Sequence, residues 1–115
     1  MTPRLRLPIG PGVELGPGKA ELMERVRDAG SLSAAASAMA MSYRRAWTLV
    51  RELNNAFRVP LVQLARGGAT GGTAQLTSEG EAVLAHYRAL EALLAEDRDG
   101  HLAAIAALTD MSERR

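Results

Sequence analysis

The sequence predicts a mainly α domain with a small β component. Three observations carry that expectation. Apolar residues recur at helical spacing in several segments, they alternate with period 2 in a few short ones, and the pattern changes at glycine, proline or serine. The 115 residues suit a single domain, because domains commonly run about 100–150 residues. A core of that size forms without disulfide staples.

Leu5, Leu7 and Ile9 alternate with Arg4, Arg6 and Pro8, and Val13-Glu14-Leu15 alternates again after the turn signal Gly10-Pro11-Gly12. Residues 4–15 are therefore expected to form a hairpin, which Pro8 and Pro11 confine to a sheet edge or to its ends. Gly16-Pro17-Gly18 opens a helix over about 18–29, with Leu22, Met23, Val26 and Ala29 on its inner stripe. Gly30 stands where a left-handed residue ends a helix. Ser31 or Ser33 can cap the next helix, about 33–39. That helix is nearly all alanine, so it can lie close against its neighbours.

Met41-Ser42-Tyr43 turns the chain, and Ser42 caps a third helix from about Tyr43. Its buried stripe is expected at Ala46, Val50, Leu53 and Phe57, flanked by Leu49 and Trp47, with Trp47 read as core. Arg44, Arg45, Thr48, Arg51 and Asn55 take the opposite face, and Pro60 ends any continuation. Residues 61–66 and 73–76 read as the strands of a second hairpin with the glycine-rich tip Gly67-Gly68-Ala69-Thr70-Gly71-Gly72. Thr77 caps a last long helix, whose first turn holds Glu79, where the helix dipole favours negative charge. Val83, Tyr87, Leu90 and Leu94 repeat at 4, 3 and 4 residues, a coiled-coil-like seam that Leu84 and Leu93 widen. The acidic run Glu96-Asp97-Arg98-Asp99 then interrupts the pattern. Residues 1–95 thus form one domain, and residues 96–115 an acidic break and a short helical tail begun by Leu102, Ile105 and Leu108.

The net charge of +1 conceals a division. Residues 1–70 carry ten Arg/Lys against five Asp/Glu, a balance of +5, and residues 71–115 carry four against eight, a balance of −4. A basic working surface and a separate acidic segment are expected. Two helices joined by a brief turn and followed by a hairpin make a winged helix-turn-helix. The second helix of such a pair enters the major groove of DNA with its N-terminal residues at the base edges. Here that end offers Ser42, Tyr43, Arg44 and Arg45, with Thr48 and Arg51 one and two turns on. Tyr43 can equally touch DNA or pack. The wing adds Arg66 at its base and small polar residues, Thr70 among them, at its tip.

Other chemistries lack residues. Without cysteine there is no thiolate nucleophile or thiolate metal site. His86 and His101 stand apart from any carboxylates at ligand spacing, so no metal is expected. The glycine-rich tip lacks the lysine of a phosphate-binding P-loop. No catalytic residues and no cofactor are expected. No run of eighteen apolar residues and no signal peptide is present, which predicts a soluble, cytoplasmic chain without a membrane partner. The alternative to DNA binding is a protein-interaction module built on a winged-helix scaffold, with the leucines of the long helix as its surface.

Gly30-Ser31-Leu32-Ser33-Ala34-Ala35-Ala36, then Met41-Ser42-Tyr43-Arg44-Arg45-Ala46-Trp47, resembles the N-terminal DNA-binding domain of molybdate-responsive ModE-type regulators. The glycine-rich wing, Gln75-Leu76-Thr77 and Gly80 extend the resemblance, which runs from about Leu5 to Leu94. More distantly the segment is similar to the winged helix of LysR-type regulators. The resemblance implies a homodimer on a palindromic operator, with Ser31, Ser33, Ser42, Tyr43, Arg44, Arg45 and Thr48 at or near double-stranded DNA. It also implies that the long helix, through Val83, Leu84, Tyr87, Leu90 and Leu94, forms the dimer contact. Full-length members of that family carry C-terminal molybdate-binding domains of small β-barrel type. About twenty residues follow Leu94, too few for such a barrel, so a stand-alone DNA-binding form is expected. An effector could then reach it directly or through a separate effector-binding partner.

Overall fold

The chain's turns and caps fix its elements. The computed structural model describes residues 4–65 and 72–109. β1 (Leu7–Gly10) and β2 (Val13–Leu15) pair antiparallel, Leu7 opposite Leu15, with a bulge between Pro8 and Gly10. α1 (Pro17–Ala29) begins on proline, whose missing N–H costs nothing at the first helical position. It ends at Gly30, whose φ of 75° lets its N–H reach the Val26 carbonyl at 2.9 Å.

α2 (Leu32–Ala38) takes its cap from Ser31, whose hydroxyl oxygen accepts from the Ala34 N–H at 3.1 Å, while Ser33 lies exposed in the first turn. Ala35 and Ala36 are buried, so α2 sits close against its neighbours. α3 (Tyr43–Ala56) is capped in the same way, the Arg45 N–H donating to Ser42 Oγ at 3.0 Å. β3 (Val62–Ala65) and β4 (Thr73–Leu76) pair antiparallel, with Val62 opposite Leu76 and Ala65 opposite Thr73. α4 (Ser78–Glu96) starts at Thr77, whose oxygen accepts from the Gly80 N–H at 3.0 Å, with Glu79 and Glu81 in its first turn. α5 (His101–Ala107) follows. The architecture is a mainly α winged helix with two small hairpins, as the patterning predicts. Among the described residues, no helix is long and apolar enough to cross a membrane.

The core gathers around α1. Leu22, Met23 and Val26 meet Leu32 and Ala36 of α2, Val50 and Leu53 of α3, and Leu61 and Val62 at the wing base in one buried cluster. Two members of the expected dimer seam belong to it. Leu84 is buried and Tyr87 is 1% exposed within a single chain. The Tyr87 hydroxyl donates to the Leu5 carbonyl at 2.6 Å, and burial pushes its phenol up from the usual range. Val83 packs partly against the same cluster. The correction has a simple cause. A repeat of 4, 3 and 4 residues specifies an apolar stripe, and the first half of this stripe is covered by the chain's own α1 and hairpin.

Arg88 fastens that half of α4. Its guanidinium donates to both oxygens of Glu24, at 2.9 and 2.6 Å, and to Glu91 at 2.6 Å. These bonds hold the Glu24 carboxyl below its ordinary range and raise the arginine. Beyond Arg88 the stripe is uncovered, with Leu90, Leu93 and Leu94 exposed. Asp97, left-handed at φ 49°, ends α4, and its carboxylate accepts from the Leu102 and Ala103 N–H groups at 3.0 and 2.9 Å. Those two bonds hold its carboxyl below the usual range. The acidic break is therefore the cap of α5. No residue of α5 is buried, and Ile105 lies exposed.

Candidate nucleic-acid interface

α3 divides its surface by helical period. Ala46, Leu49, Val50 and Leu53 point into the core, and Phe57 is half-buried just past the helix end. Tyr43, Arg44, Arg45, Thr48, Arg51 and Asn55 are exposed. The Thr48 hydroxyl donates to the Arg44 carbonyl at 3.0 Å, so its methyl and oxygen lone pairs are what it offers outward. Ser42 Oγ accepts at its cap, as does Ser31 Oγ at the start of α2, which leaves each hydroxyl proton to donate elsewhere.

Trp47 corrects the expectation of a core residue, since it is 39% exposed. One residue past the deeply buried Ala46 means about 100° around the helix, which carries the indole off the inner stripe. The Arg51 guanidinium lies over its ring, 4.9 Å from the centroid. Such cation–π contacts contribute about 0.5–1 kcal/mol at exposed sites and restrict where the guanidinium points.

Charge pairing separates this face from the cations of α1 and α4. Lys19 pairs with Glu52 at 3.4 Å, Arg25 with Glu21 at 3.1 Å, Arg27 with Asp28 at 3.2 Å and Arg98 with Glu96 at 3.8 Å, and Arg88 has its two carboxylates. Among the described residues, Arg44, Arg45 and Arg51 have no carboxylate partner. Their charge is left available to an anion from outside the chain. Arg66 and Thr70, the expected wing contacts, lie outside the described residues.

A residue absent from the expected set ties helix to wing. Asn54 Oδ1 accepts from the Leu61 and Val62 N–H groups at 2.8 and 3.1 Å, and its Nδ2 donates to the Val62 carbonyl at 3.0 Å. The signal in the sequence is the first of two adjacent amides, Asn54-Asn55, next to buried Leu53 and ahead of Pro60 and a strand. Asn54→Ala leaves the amides of two buried residues, Leu61 and Val62, without partners. Each such orphan costs about 1–3 kcal/mol. Urea unfolding should show a loss of about 2 kcal/mol or more; an unchanged midpoint would contradict this role.

Comparisons with known proteins follow the same outline. Residues 18–81 match the family described as bacterial regulatory helix-turn-helix protein, lysR family. The chain is 40% identical over 80 residues to the molybdenum-pterin-binding protein MopA of Rhodobacter capsulatus, covering 70% of this chain and 30% of MopA. It is 38% identical over 88 residues to the molybdenum transport protein ModE of Azotobacter vinelandii, covering 76% of this chain and 33% of that one. With the DNA-binding transcriptional dual regulator ModE of Escherichia coli K12 it shares 34% identity over 71 residues, or 62% of this chain and 27% of the other. The chain thus spans about a third of the length of these curated relatives.

Proposed function

This chain belongs to the LysR family of bacterial regulatory helix-turn-helix proteins, and we propose that it regulates molybdenum-linked genes as a homodimer on a palindromic operator. α3 enters the major groove and reads base edges from its first two turns. Ser31, Ser33 and the wing residues Arg66 and Thr70 meet the flanking backbone, fixing register. Two copies place their α3 helices in successive major grooves about 34 Å apart. The copies join through the part of the seam that the chain leaves uncovered, Leu90 and Leu94 with Leu93 beside them. The observation that carries the reading is that Arg44, Arg45 and Arg51 on α3 have no carboxylate partner among the described residues, whereas the cations of α1 and α4 are matched to carboxylates. The tie to molybdenum rests on the names of the relatives.

Selection of duplexes from a random pool tests the reading and yields the half-site. The Arg44→Ala, Arg45→Ala double variant should then bind the selected duplex at least tenfold more weakly by fluorescence anisotropy, since one good base contact contributes about 1–3 kcal/mol. Its melting temperature should be almost unchanged, because neither side chain has an ion pair among the described residues. Full-strength binding by the double variant would remove α3 from the interface. Failure of the wild-type chain to bind any duplex at low salt would favour a protein-interaction module.

A further inference from the structure

The N-terminal hairpin forms one wall of a groove beside α3. The groove is about 520 Å³ in volume, and Arg6 and Gly12 of the hairpin segment, Lys19 of α1, and Met41 and Arg45 at the start of α3 are among its lining residues. Lys19 is occupied by Glu52. Arg6 and Arg45 have no carboxylate partner among the described residues, and Glu14, the acidic residue lining the groove, pairs with neither. The Arg6 side chain runs across Gly16, where a Cβ would lie 3.5 Å from its Cγ and 3.6 Å from its Nη1. Its stem is therefore laid along the backbone, with the guanidinium held at the groove.

The groove's position around α3 identifies its occupant. Arg45 and Asn54 are nine residues apart, which is two and a half turns at about 3.6 residues per turn. They face opposite flanks of the helix. Asn54 bonds the wing base, so the wing stands on one flank and the hairpin groove on the other. A helix seated in a major groove has a phosphate strand along each side. We propose that Arg6 and Arg45 seat the phosphodiester backbone of the strand opposite the wing, making the N-terminal hairpin a third DNA-contacting element. This rests on the DNA-binding reading above and deepens it.

Counterion release gives the test. Each phosphate neutralised by a cation adds about 0.9 to the slope of log K against log salt on duplex DNA. Arg6→Ala should lower that slope by about 1 per bound protomer and weaken binding by the same factor on selected and unrelated duplexes. Arg6→Lys keeps the charge and should keep the slope. Melting temperatures of both variants show that each is folded. An unchanged slope in Arg6→Ala, or an equal loss in Arg6→Lys, overturns the proposal while leaving the role of α3 intact. A wild-type chain that binds no duplex overturns the DNA-binding reading itself, and this one with it.

Discussion

The Leu90→Asp, Leu94→Asp double variant should sediment as a monomer and bind a two-half-site duplex roughly 10²–10⁴-fold more weakly, the factor that tethering two sites contributes. The two leucines are four residues apart and so share one face of α4, where they are 41% and 37% exposed in the single chain. Replacing them disturbs little inside the protomer, and far-UV circular dichroism should report an unaltered helix content. Between two copies the same change sets carboxylates into an apolar contact. A charge buried there without a partner is strongly unfavourable, so the dimer dissociates. Binding to an isolated half-site should be nearly unaffected, which separates loss of tethering from damage to α3. A dimer that persists in sedimentation would locate the interface elsewhere, with the exposed Ile105 of α5 as the next residue to change.

Gly80→Ala should destabilise the fold although alanine is the better helix former. Propensity favours alanine by about 1 kcal/mol in a helix interior. Against that, a methyl at position 80 overlaps the Leu61 carbonyl oxygen and lies 3.1 Å from its carbonyl carbon. The obstacle is backbone, and it cannot swing aside. The Leu61 carbonyl accepts from the Thr77 N–H at 2.9 Å, the Thr77 hydroxyl holds the adjacent Pro60 carbonyl at 2.8 Å, and Leu61 itself is buried. Overpacking a rigid site costs about 1–3 kcal/mol and sometimes more; with a carbonyl as the obstacle, the upper end outweighs the propensity gain. A net loss of about 2 kcal/mol corresponds to a fall in Tm of roughly 10 °C for a domain of this size. Thermal unfolding followed at 222 nm measures it. A Tm equal to or above that of the wild type would sink the steric account.

The elements themselves were legible because their signals are local. Pro17, Gly30, Ser31, Ser42 and Thr77 act on backbone groups within a few residues, so each could be read from spacing alone. The choice between Ser31 and Ser33 turned on a single hydrogen bond to the Ala34 N–H. Trp47 departs from the core expectation because angle, not size, sets its face, and the 100° step from Ala46 is present in the sequence. The seam of α4 failed for a different reason. Its period announces an apolar stripe, but which half meets the chain's own core depends on where α1 and the hairpin dock, a contact such as Tyr87 to Leu5 across 82 positions. The roles of Asn54 and Arg6 are not legible in the sequence because they exist only after the wing and the hairpin have come to rest beside α3.

The three hydrogen bonds of Asn54 bear on how a duplex is discriminated. They tie α3 to the start of β3 across the intervening residues 57–61. On the proposed reading, helix and wing base would meet DNA as one rigid body with a fixed span between them. Where the spacing of the two grooves does not suit that span, the DNA must deform to fit, and the energy of that deformation depends on base steps the protein never touches. If the chain binds an operator as proposed, this single half-buried amide would make the stiffness of the duplex, and not only its letters, part of what is recognised.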